Sequence, residues 1–302
     1  MKTKLGVLVT LSAVLLASAA SRTSSRKELQ SHTGNPYLAA IVVDAATGDV
    51  LFEDKADTQG YPASCIKLMD LLVILEKIEQ GAVKLDDKVT ITAESSTMGG
   101  SQVYLKEKEV FPVDDLLYAL MVQSANDAAV ALALQVAGSK DGFVLLMNEK
   151  AKALGMKSTE FHSCHGLPPA ADQLPDLSTP RDLAILCLEL LKHKDTLRYT
   201  STKERPFRPG TPQLVDMRNH DGLLNTFPGC DGFKTGYFSK AGFSIAATAE
   251  RNGNRVIAVV LGSPDKKTRD AKAAELLSMG FLELAKKQSE KAKRGNGSRL
   301  SV

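Results

Sequence analysis

Ser64 and Lys67 stand three residues apart, the spacing that puts two side chains on one face of a helix. In that arrangement the amine can take the hydroxyl proton and make the serine a nucleophile, provided that burial or a nearby charge lowers the pKa of the lysine. The Ser-x-x-Lys pattern also begins at Ser24 and Ser263, so by itself it is more often a surface coincidence. Only Ser64 opens an apolar segment, directly after Pro62-Ala63, and it is therefore the candidate nucleophile.

Two further triplets follow, Ser124-Ala125-Asn126 and Lys234-Thr235-Gly236, and their Ser-x-Asn and Lys-Thr-Gly patterns each occur once in the chain. The first lies where a predicted helix breaks and restarts, so its alternative interpretation is the N-cap of the second helix. The second lies at the start of a predicted strand, where Gly236 would let a substrate backbone approach closely. Its alternative is a solvent-facing edge strand. All three patterns, in this order and in suitable settings, favour a catalytic site.

The elements that carry these residues can be outlined from hydrophobic periodicity. Apolar, β-branched runs at 38–44 and 49–54 predict a hairpin. The run 64–78 contains no helix breaker and is closed by Gly81, which predicts a largely buried helix. A helical pattern covers 113–137 and is interrupted at the polar segment 124–127. The candidate residues therefore fall on a helix start, a helix break and a strand.

The later part of the chain adds helices and then strands. Helical patterns recur in three segments, at 140–154, 181–192 and 268–286, with a Pro-rich loop at 164–180. Runs at 233–248 and 255–262 predict strands joined at Asn252-Gly253-Asn254. Because strands lie at both ends of the sequence, the predicted fold is mixed α and β. It has an antiparallel sheet built from both chain ends, flanked by helices, with an inserted helical lobe.

Composition and the N-terminus bear on location. The chain has 43% apolar and 24% charged residues and a net charge of +3, without a basic stripe interleaved with aromatics, so no nucleic-acid partner is expected. Lys2 and Lys4, an apolar run at 5–16 and Ala17-Ser18-Ala19 form the pattern of a secretory signal peptide. The run is too short to span a bilayer, so we predict an exported, periplasmic or other extracytoplasmic protein without a transmembrane helix after cleavage. The predicted segments are a signal peptide at 1–19, a flexible leader at 20–36, a folded domain at 37–287 and a basic disordered tail at 288–302.

With these motifs, the chain resembles the serine D-Ala-D-Ala carboxypeptidases of peptidase family S11, which are low-molecular-mass penicillin-binding proteins. This family shares the three motifs with the serine β-lactamases. The resemblance covers roughly residues 37 to 284. Beyond the triplets it rests on short matches, among them Asp44 with Thr47-Gly48, Ala153-Leu154-Gly155-Met156, His165-Gly166-Leu167, Ser178-Thr179, Asp231-Gly232-Phe233 and Ala241-Gly242. It implies the fold of that superfamily, with 37–287 as the D,D-peptidase domain.

The resemblance also implies roles. Ser64 would attack the D-Ala-D-Ala carbonyl and Lys67 would accept its proton, while Asn126 positions Lys67 and the substrate amide. Ser124 and Lys234 would relay a proton to the departing D-Ala. Substrate-binding roles are implied for four further residues: Thr235 and Arg269 for the terminal carboxylate, Tyr237 as the second oxyanion donor beside the N–H of Ser64, and Gly236 within the triplet.

The implied substrate is a peptidoglycan stem peptide ending in D-Ala-D-Ala, with β-lactams as covalent inhibitors and no cofactor or metal. Removal of D-Ala from pentapeptides is favoured, and three alternatives stay open: a D,D-endopeptidase acting on cross-links, a non-catalytic binder of penicillin or muropeptides, and a β-lactamase. The last is disfavoured because no Glu lies between Glu160 and Glu189, where the loop offers only Asp172 and Asp176 to activate water.

Other chemistries have weaker support. A Ser-His-Asp hydrolase is disfavoured because no Gly-x-Ser-x-Gly sequence is present. A zinc site at His162 and His165 is disfavoured because no further ligand cluster accompanies them. The cysteines are predicted to be small buried hydrophobes, although export would permit disulfides; they are Cys65, Cys164, Cys187 and Cys230.

Overall fold

The computed structural model describes residues 36–297, and its compact unit begins at Tyr37. The predicted signal peptide, most of the leader and the last part of the tail, 298–302, lie outside the described residues. The strands within them are β1 (Ala39–Asp44), β2 (Val50–Asp54), β3 (Lys88–Thr90), β4 (Val110–Pro112), β5 (Glu204–Phe207), β6 (Val215–Arg218), β7 (Cys230–Phe238), β8 (Gly242–Arg251) and β9 (Asn254–Ser263).

Five of these strands form one antiparallel sheet in the order β2-β1-β9-β8-β7. Two strands come from the N-terminal end and three from the C-terminal end, so the predicted sheet is confirmed. Strand β9 is buried on both faces: Ile257 and Val259 contact the main core, whereas Val256 and Ala258 contact the last helix. Because successive side chains alternate between faces, a strand covered on both sides reads as a continuous apolar run.

The prediction of one strand at 233–248 is wrong, because this segment contains parts of two strands. Strand β7 ends at Phe238, where the main-chain N–H of Ala241 donates to the Phe238 carbonyl at 3.0 Å. Strand β8 begins at Gly242, whose φ of 70° suits glycine. The chain folds back so that Thr235 pairs with Ile245. Apolar residues continue on both sides of the turn, so periodicity alone could not locate it.

Helices fill the middle of the chain, as predicted. A single 3-10 turn at Ala63–Ile66 is followed by α1 (Lys67–Glu79), α2 (Ala93–Ser96), α3 (Val113–Val122), α4 (Asn126–Ala137), α5 (Lys140–Leu154), α6 (Pro180–Leu190), α7 (Thr196–Thr200), α8 (Leu223–Thr226) and α9 (Lys266–Gly297). Helix α1 packs against α3, α4, α5 and α6. It is buried at every position from Lys67 to Leu75, which explains why this segment is apolar except at Lys67 and Asp70.

Several features were not predicted, among them the short helices α2, α7 and α8. Strands β3 and β4 pair, as do β5 and β6, and each is too short for a periodic pattern to be recognised. Helix α9 continues past the predicted end at Lys286 to Gly297. Its first turns bring Lys266 and Arg269 to the site.

No single helix within residues 36–297 combines the length and hydropathy needed to cross a membrane. Helices α4 and α5 reach that threshold only when they are taken together, and they are bent by 83° at their junction.

Candidate active site

The candidate nucleophile lies in the 3-10 turn, just before α1 begins. The preceding residue, Ala63, has a left-handed backbone with a φ of 48°. The turn keeps Ser64 and Lys67 on one side, and Lys67 Nζ lies 3.0 Å from Ser64 Oγ. The two residues singled out by their spacing are therefore in hydrogen-bond contact.

Lys67 is fully buried and donates to three acceptors: Ser64 Oγ, Asn126 Oδ1 at 2.8 Å and the His165 carbonyl at 2.6 Å. Burial lowers the pKa of Lys67 to about 8, although the nearby Asp70 carboxyl opposes this effect. Of the three acceptors, only the hydroxyl of Ser64 can also donate. A neutral Lys67 that keeps its bonds to Asn126 and His165 therefore directs its lone pair at Ser64.

Asn126 begins α4, and hydrogen bonds at both the oxygen and the nitrogen of its side-chain amide fix the orientation of that amide. Its Nδ2 donates to the Gly99 carbonyl at 2.8 Å, which leaves Oδ1 directed at Lys67. The N-cap of α4 is Ala125, and no side chain caps the helix, so the N-cap interpretation of this triplet is wrong. The polar break between α3 and α4 places the side-chain amide of Asn126 in contact with Lys67.

The residue after Asn126 holds the loop that covers this side of the site. The Asp127 carboxylate accepts from the main-chain N–H groups of Val103 and Leu105, at 3.2 and 3.0 Å for its Oδ2. The Asn126 main-chain N–H donates to the Ser101 carbonyl at 2.8 Å. Two successive residues thus fix the loop that supplies the Gly99 carbonyl.

Ser124 lies at the helix break with a φ of 59° and is nearly buried. It lines the same cavity as Ser64. Within the described residues no hydrogen bond joins its hydroxyl to Lys234, whose Nζ donates to the Thr235 carbonyl at 3.0 Å. The structure therefore brings Ser124 to the site without a direct bond to the second lysine.

The Lys-Thr-Gly triplet lies in the middle of β7, not at its start, and β7 is an edge strand of the described sheet. Lys234 is buried, and burial together with the Lys67 charge lowers its pKa to about 7. Lys67 and Lys234 thus both have a pKa below the ordinary value of a lysine. Near neutral pH the pair therefore holds fewer protons than two free lysines would.

Gly236 is required by a close approach that the sequence did not reveal. A Cβ at this position would overlap the Pro62 carbonyl and press on Ala63. The contact is with the protein's own turn at Ser64, whereas the sequence interpretation assigned it to the substrate backbone. Glycine here lets β7 lie directly against the turn that carries the nucleophile.

Seven of the nine predicted site residues line one cavity of about 340 Å³: Ser64, Ser124, Asn126, Thr235, Gly236, Tyr237 and Arg269. Lys67 and Lys234 are buried beside it. Tyr237 is exposed and stacks on Phe243 with ring centroids 4.0 Å apart. The predicted residues are therefore brought together around one concave space.

Arg269 contributes a guanidinium to this cavity from the first turns of α9. Its side chain is only 3% exposed, and its Nη2 forms an ion pair of 2.6 Å with Asp270. The Asp221 carboxyl lies close behind; burial raises the pKa of this group to about 6, while Arg269 opposes that rise. The arrangement suits a carboxylate ligand, which would share the guanidinium with the adjacent acid.

Sequence reasoning missed two cationic or titratable residues of the cavity wall, His220 and Lys266. Desolvation and the charges of Lys234 and Lys266 lower the pKa of His220 to about 4, so its imidazole is neutral near pH 7. Neither residue belongs to a motif or a periodic face. No signal in the single sequence marked them.

Comparison with known proteins agrees with this geometry. A family model described as D-alanyl-D-alanine carboxypeptidase, Peptidase_S11, matches residues 27–265. The chain belongs to this family. It is 36% identical over 243 residues to the D-alanyl-D-alanine carboxypeptidase DacF of Bacillus subtilis, and 37% identical over 248 residues to DacA of Escherichia coli. Each match covers 80% of the chain, and the chain spans 61% and 60% of those relatives, respectively.

Solved structures of related proteins show the same fold. The ampicillin-bound penicillin-binding protein D2 of Listeria monocytogenes matches with a TM-score of 0.73 at 32% identity, covering 83% of this chain and 99% of that one. The carboxypeptidase DacD of Francisella tularensis matches with a TM-score of 0.75 at 27% identity, covering 82% and 71%. The predicted D,D-peptidase-like fold is confirmed.

Of the two acids in the 164–180 loop, Asp176 is engaged in hydrogen bonds within the loop. Asp176 accepts from the main-chain N–H of His162 at 2.7 Å and from Ser163 Oγ at 2.7 Å. Asp172 is exposed. The carboxylate of Asp176 is thus used to hold the loop whose His165 carbonyl meets Lys67.

The remaining sequence hypotheses concern histidines and cysteines. His162 Nε2 lies 3.1 Å from Glu160 Oε1, and His165 Nδ1 accepts from the Leu167 N–H at 3.1 Å. Each ring therefore contacts a group other than the second histidine with which it would form the hypothetical zinc site. The four cysteines are free thiols; Cys65, Cys164 and Cys187 are buried and Cys230 is half-buried. Their interpretation as small buried hydrophobes agrees with this.

Proposed function

We propose that the chain is a serine D,D-carboxypeptidase that removes the terminal D-Ala of peptidoglycan pentapeptides through an acyl-enzyme on Ser64 and is inhibited by penicillins. The observation that carries this is the contact of 3.0 Å between Ser64 Oγ and a buried Lys67 whose pKa is lowered, at the edge of a cavity that also holds Arg269. This is a nucleophile, its base and a carboxylate partner in one site.

In the acylation step, Ser64 Oγ attacks the carbonyl carbon of the penultimate D-Ala while neutral Lys67 takes the hydroxyl proton. The carbonyl oxygen becomes an oxyanion, which the N–H groups of Ser64 and Tyr237 are assigned to stabilise. Their closeness is supported by the packing of Gly236 against the turn that carries Ser64.

Collapse of the tetrahedral intermediate breaks the peptide bond and releases D-Ala, whose amine needs a proton. Ser124 and Lys234 are assigned this relay. In the free enzyme Lys234 donates to the Thr235 carbonyl, so the relay requires Nζ to exchange that bond for one to Ser124. Water then cleaves the ester on Ser64 and returns the serine.

Binding of the substrate's C-terminal carboxylate would favour cleavage of the last peptide bond, which is exopeptidase action. Arg269 and Thr235 line the same cavity as Ser64 and are assigned to bind this group. A β-lactam carries a carboxylate in the corresponding place, which agrees with the ampicillin-bound and cefotaxime-bound structures of the Listeria monocytogenes relative. The use of Asp176 in holding a loop supports slow release of such an acyl group.

The test combines labelling with product release. We expect a fluorescent penicillin to label the protein and D-Ala to be released from a pentapeptide, with both lost in Ser64→Ala and kept in Ser96→Ala, a serine outside the cavity. Labelling without release would favour the non-catalytic binder. Faster release from a cross-linked dimer than from the pentapeptide would favour the endopeptidase, and rapid loss of label with hydrolysed penicillin would favour the β-lactamase.

We also propose that the protein acts outside the cytoplasm, after cleavage of residues 1–19. Support comes from the N-terminal sequence pattern and from a peptidoglycan substrate, which lies beyond the cytoplasmic membrane. Sequencing the N-terminus of the protein recovered from the cell envelope tests this, and an intact Met1 in that fraction would refute cleavage.

A further inference from the structure

Three side chains that can bind a metal ion converge outside the candidate active site: Glu76, Glu189 and His193. One carboxylate oxygen of each glutamate and one ring nitrogen of His193 all lie within 4.8 Å of one another. Among the described residues, no second set of three such side chains converges in this way. This group combines a nitrogen donor with two oxygen donors.

The three side chains come from two helices that pack against each other. Glu76 lies near the C-terminal end of α1, and Glu189 lies near the C-terminal end of α6. His193 follows α6 in a turn that is closed by a hydrogen bond of 3.1 Å from its main-chain N–H to the Leu190 carbonyl. An ion bound here would therefore join two elements that are distant in sequence.

Each of the two carboxylates keeps one oxygen for a further ligand. Glu76 Oε1 accepts from Lys150 Nζ at 2.7 Å, and Glu189 Oε2 accepts from Lys192 Nζ at 2.6 Å. Within residues 36–297 no hydrogen bond engages the other oxygen of either group. The lysines thus hold the two carboxylates in place through one oxygen each.

The imidazole of His193 also has a free nitrogen, although the side chain is only 10% exposed. Its Nδ1 lies 2.9 Å from Glu79 Oε1, and its Nε2 has no hydrogen-bond partner among the described residues. When Nδ1–H donates to a carboxylate, Nε2 carries the lone pair and becomes the metal-binding atom. A nearly buried ring therefore leaves a ligand nitrogen unsatisfied beside two carboxylates.

Formal charge and donor type both favour a particular class of ion. The group holds three carboxylates and two ammonium groups, from Glu76, Glu79, Glu189, Lys150 and Lys192, so one negative charge is in excess when the imidazole is neutral. An imidazole with two carboxylates suits Zn²⁺, whereas Mg²⁺ and Ca²⁺ prefer oxygen ligands alone. Three protein ligands also leave the fourth tetrahedral position to a water molecule.

We propose that Glu76, Glu189 and Nε2 of His193 bind one Zn²⁺ ion that clamps the end of α1 to the end of α6, with Glu79 orienting the imidazole. Glu76 follows Lys67 by nine residues of α1, which is about 13 Å along the helix axis. The ion takes no part in the chemistry at Ser64, and the proposal does not depend on the proposed function.

The test titrates zinc into the untagged protein after treatment with a chelator. Isothermal titration calorimetry is expected to show one Zn²⁺ per chain, and zinc is expected to raise Tm because it binds the folded state. Glu79→Gln keeps all three ligands and is expected to weaken zinc binding about 10- to 100-fold through the lost orientation of the ring. Glu189→Gln and His193→Ala each remove a ligand and are expected to weaken it further.

His162→Ala is the matched control. Its Nε2 lies 3.1 Å from Glu160 Oε1, so this histidine also contacts a glutamate, but no set of three ligands includes it. We expect its zinc affinity to equal that of the wild type. Circular dichroism of the metal-free variants checks that each one is folded before the titration.

The location of the ion separates a built site from zinc bound elsewhere on the surface. In crystals of the zinc-loaded protein, anomalous density is expected about 2.0–2.2 Å from the three ligand atoms. Absence of zinc binding by the folded wild type, or an affinity unchanged in both Glu189→Gln and His193→Ala, overturns the site. D-Ala release by the chelator-treated protein tests the proposed function separately.

Discussion

The main-chain carbonyl of His165 accepts a hydrogen bond of 2.6 Å from Lys67 Nζ. The loop that bears this carbonyl is itself held, because Ser163 Oγ donates to Asp176 at 2.7 Å and accepts from the Gly166 N–H at 3.0 Å. Lys67 is thereby oriented by a helix, an asparagine and a loop from three parts of the chain. Its lone pair has one direction left, toward Ser64.

Lys67→Met is expected to slow acylation by penicillin by about 10²- to 10⁴-fold, the usual contribution of a positioned general base. Methionine is one atom shorter than lysine and removes the amine, which leaves Asn126 Oδ1 and the His165 carbonyl without this donor, so the stability of the variant is measured alongside its activity. The measurement is the second-order rate constant of labelling, with circular dichroism as the control for folding. A decrease of less than tenfold would mean that another group deprotonates Ser64.

Three short motifs in the sequence point to most of the residues that the structure brings around one cavity, and the order of the motifs matches a known family. It could not predict the partners that are main-chain atoms. The carbonyl of His165 has no side-chain signature, and the reason for Gly236 is a contact with Pro62, which is distant in sequence.

The fold was predicted at the level of the sheet and of the long helices, whose periodicity is strong. The boundary between β7 and β8 was missed because Ser239-Lys240-Ala241 is a short turn between two apolar strands.

Gly236→Ala is expected to reduce both stability and activity, because its Cβ would overlap the rigid Pro62 carbonyl and push β7 away from the Ser64 turn. Overpacking of this kind costs about 1–3 kcal/mol, and a displacement near 1 Å at a reacting centre can lower the rate about 10²-fold. The measurements are urea unfolding and kcat/KM for D-Ala release.

Gly253→Ala is the matched control for this variant. Gly253 has a φ of 75° in the turn between β8 and β9, but a Cβ there meets nothing within 4 Å. We expect it to lose about 1 kcal/mol of stability through backbone strain while keeping its activity. Equal loss of activity in both variants would show that Gly236→Ala acts through stability alone.

Arg269→Ala is expected to lower kcat/KM about tenfold to a hundredfold on substrates with a free terminal carboxylate. The physical basis is the loss of a charge-assisted hydrogen bond worth roughly 1.5 to 3 kcal/mol. The comparison is with the same peptide amidated at its C-terminus, on which the loss is expected to be small. Equal losses on both peptides would indicate that Arg269 serves only its ion pair with Asp270.

Asp70→Asn is expected to stabilise the protein increasingly as pH rises. Asp70 is 1% exposed, and neither of its carboxylate oxygens has a hydrogen-bond partner among the described residues. Burial raises the pKa of this carboxyl well above its ordinary value, against the opposing charge of Lys67. The folded state therefore holds the proton more tightly than the unfolded state, so the contribution of Asp70 to stability falls as pH rises above its unfolded pKa of about 3.9.

The asparagine side chain of this variant mimics the protonated acid and does not titrate, so variant and wild type are expected to differ least near pH 4. Above that pH their free energies of unfolding are expected to diverge by up to about 1.4 kcal/mol per pH unit, until the folded-state carboxyl ionises. Urea unfolding at a series of pH values measures this, with Asp86→Asn, an exposed aspartate, as the control whose difference from wild type stays nearly constant. A difference for Asp70→Asn that is also independent of pH would show that the buried carboxyl is ionised and satisfied by a bound water or ion, and that its charge stabilises Lys67.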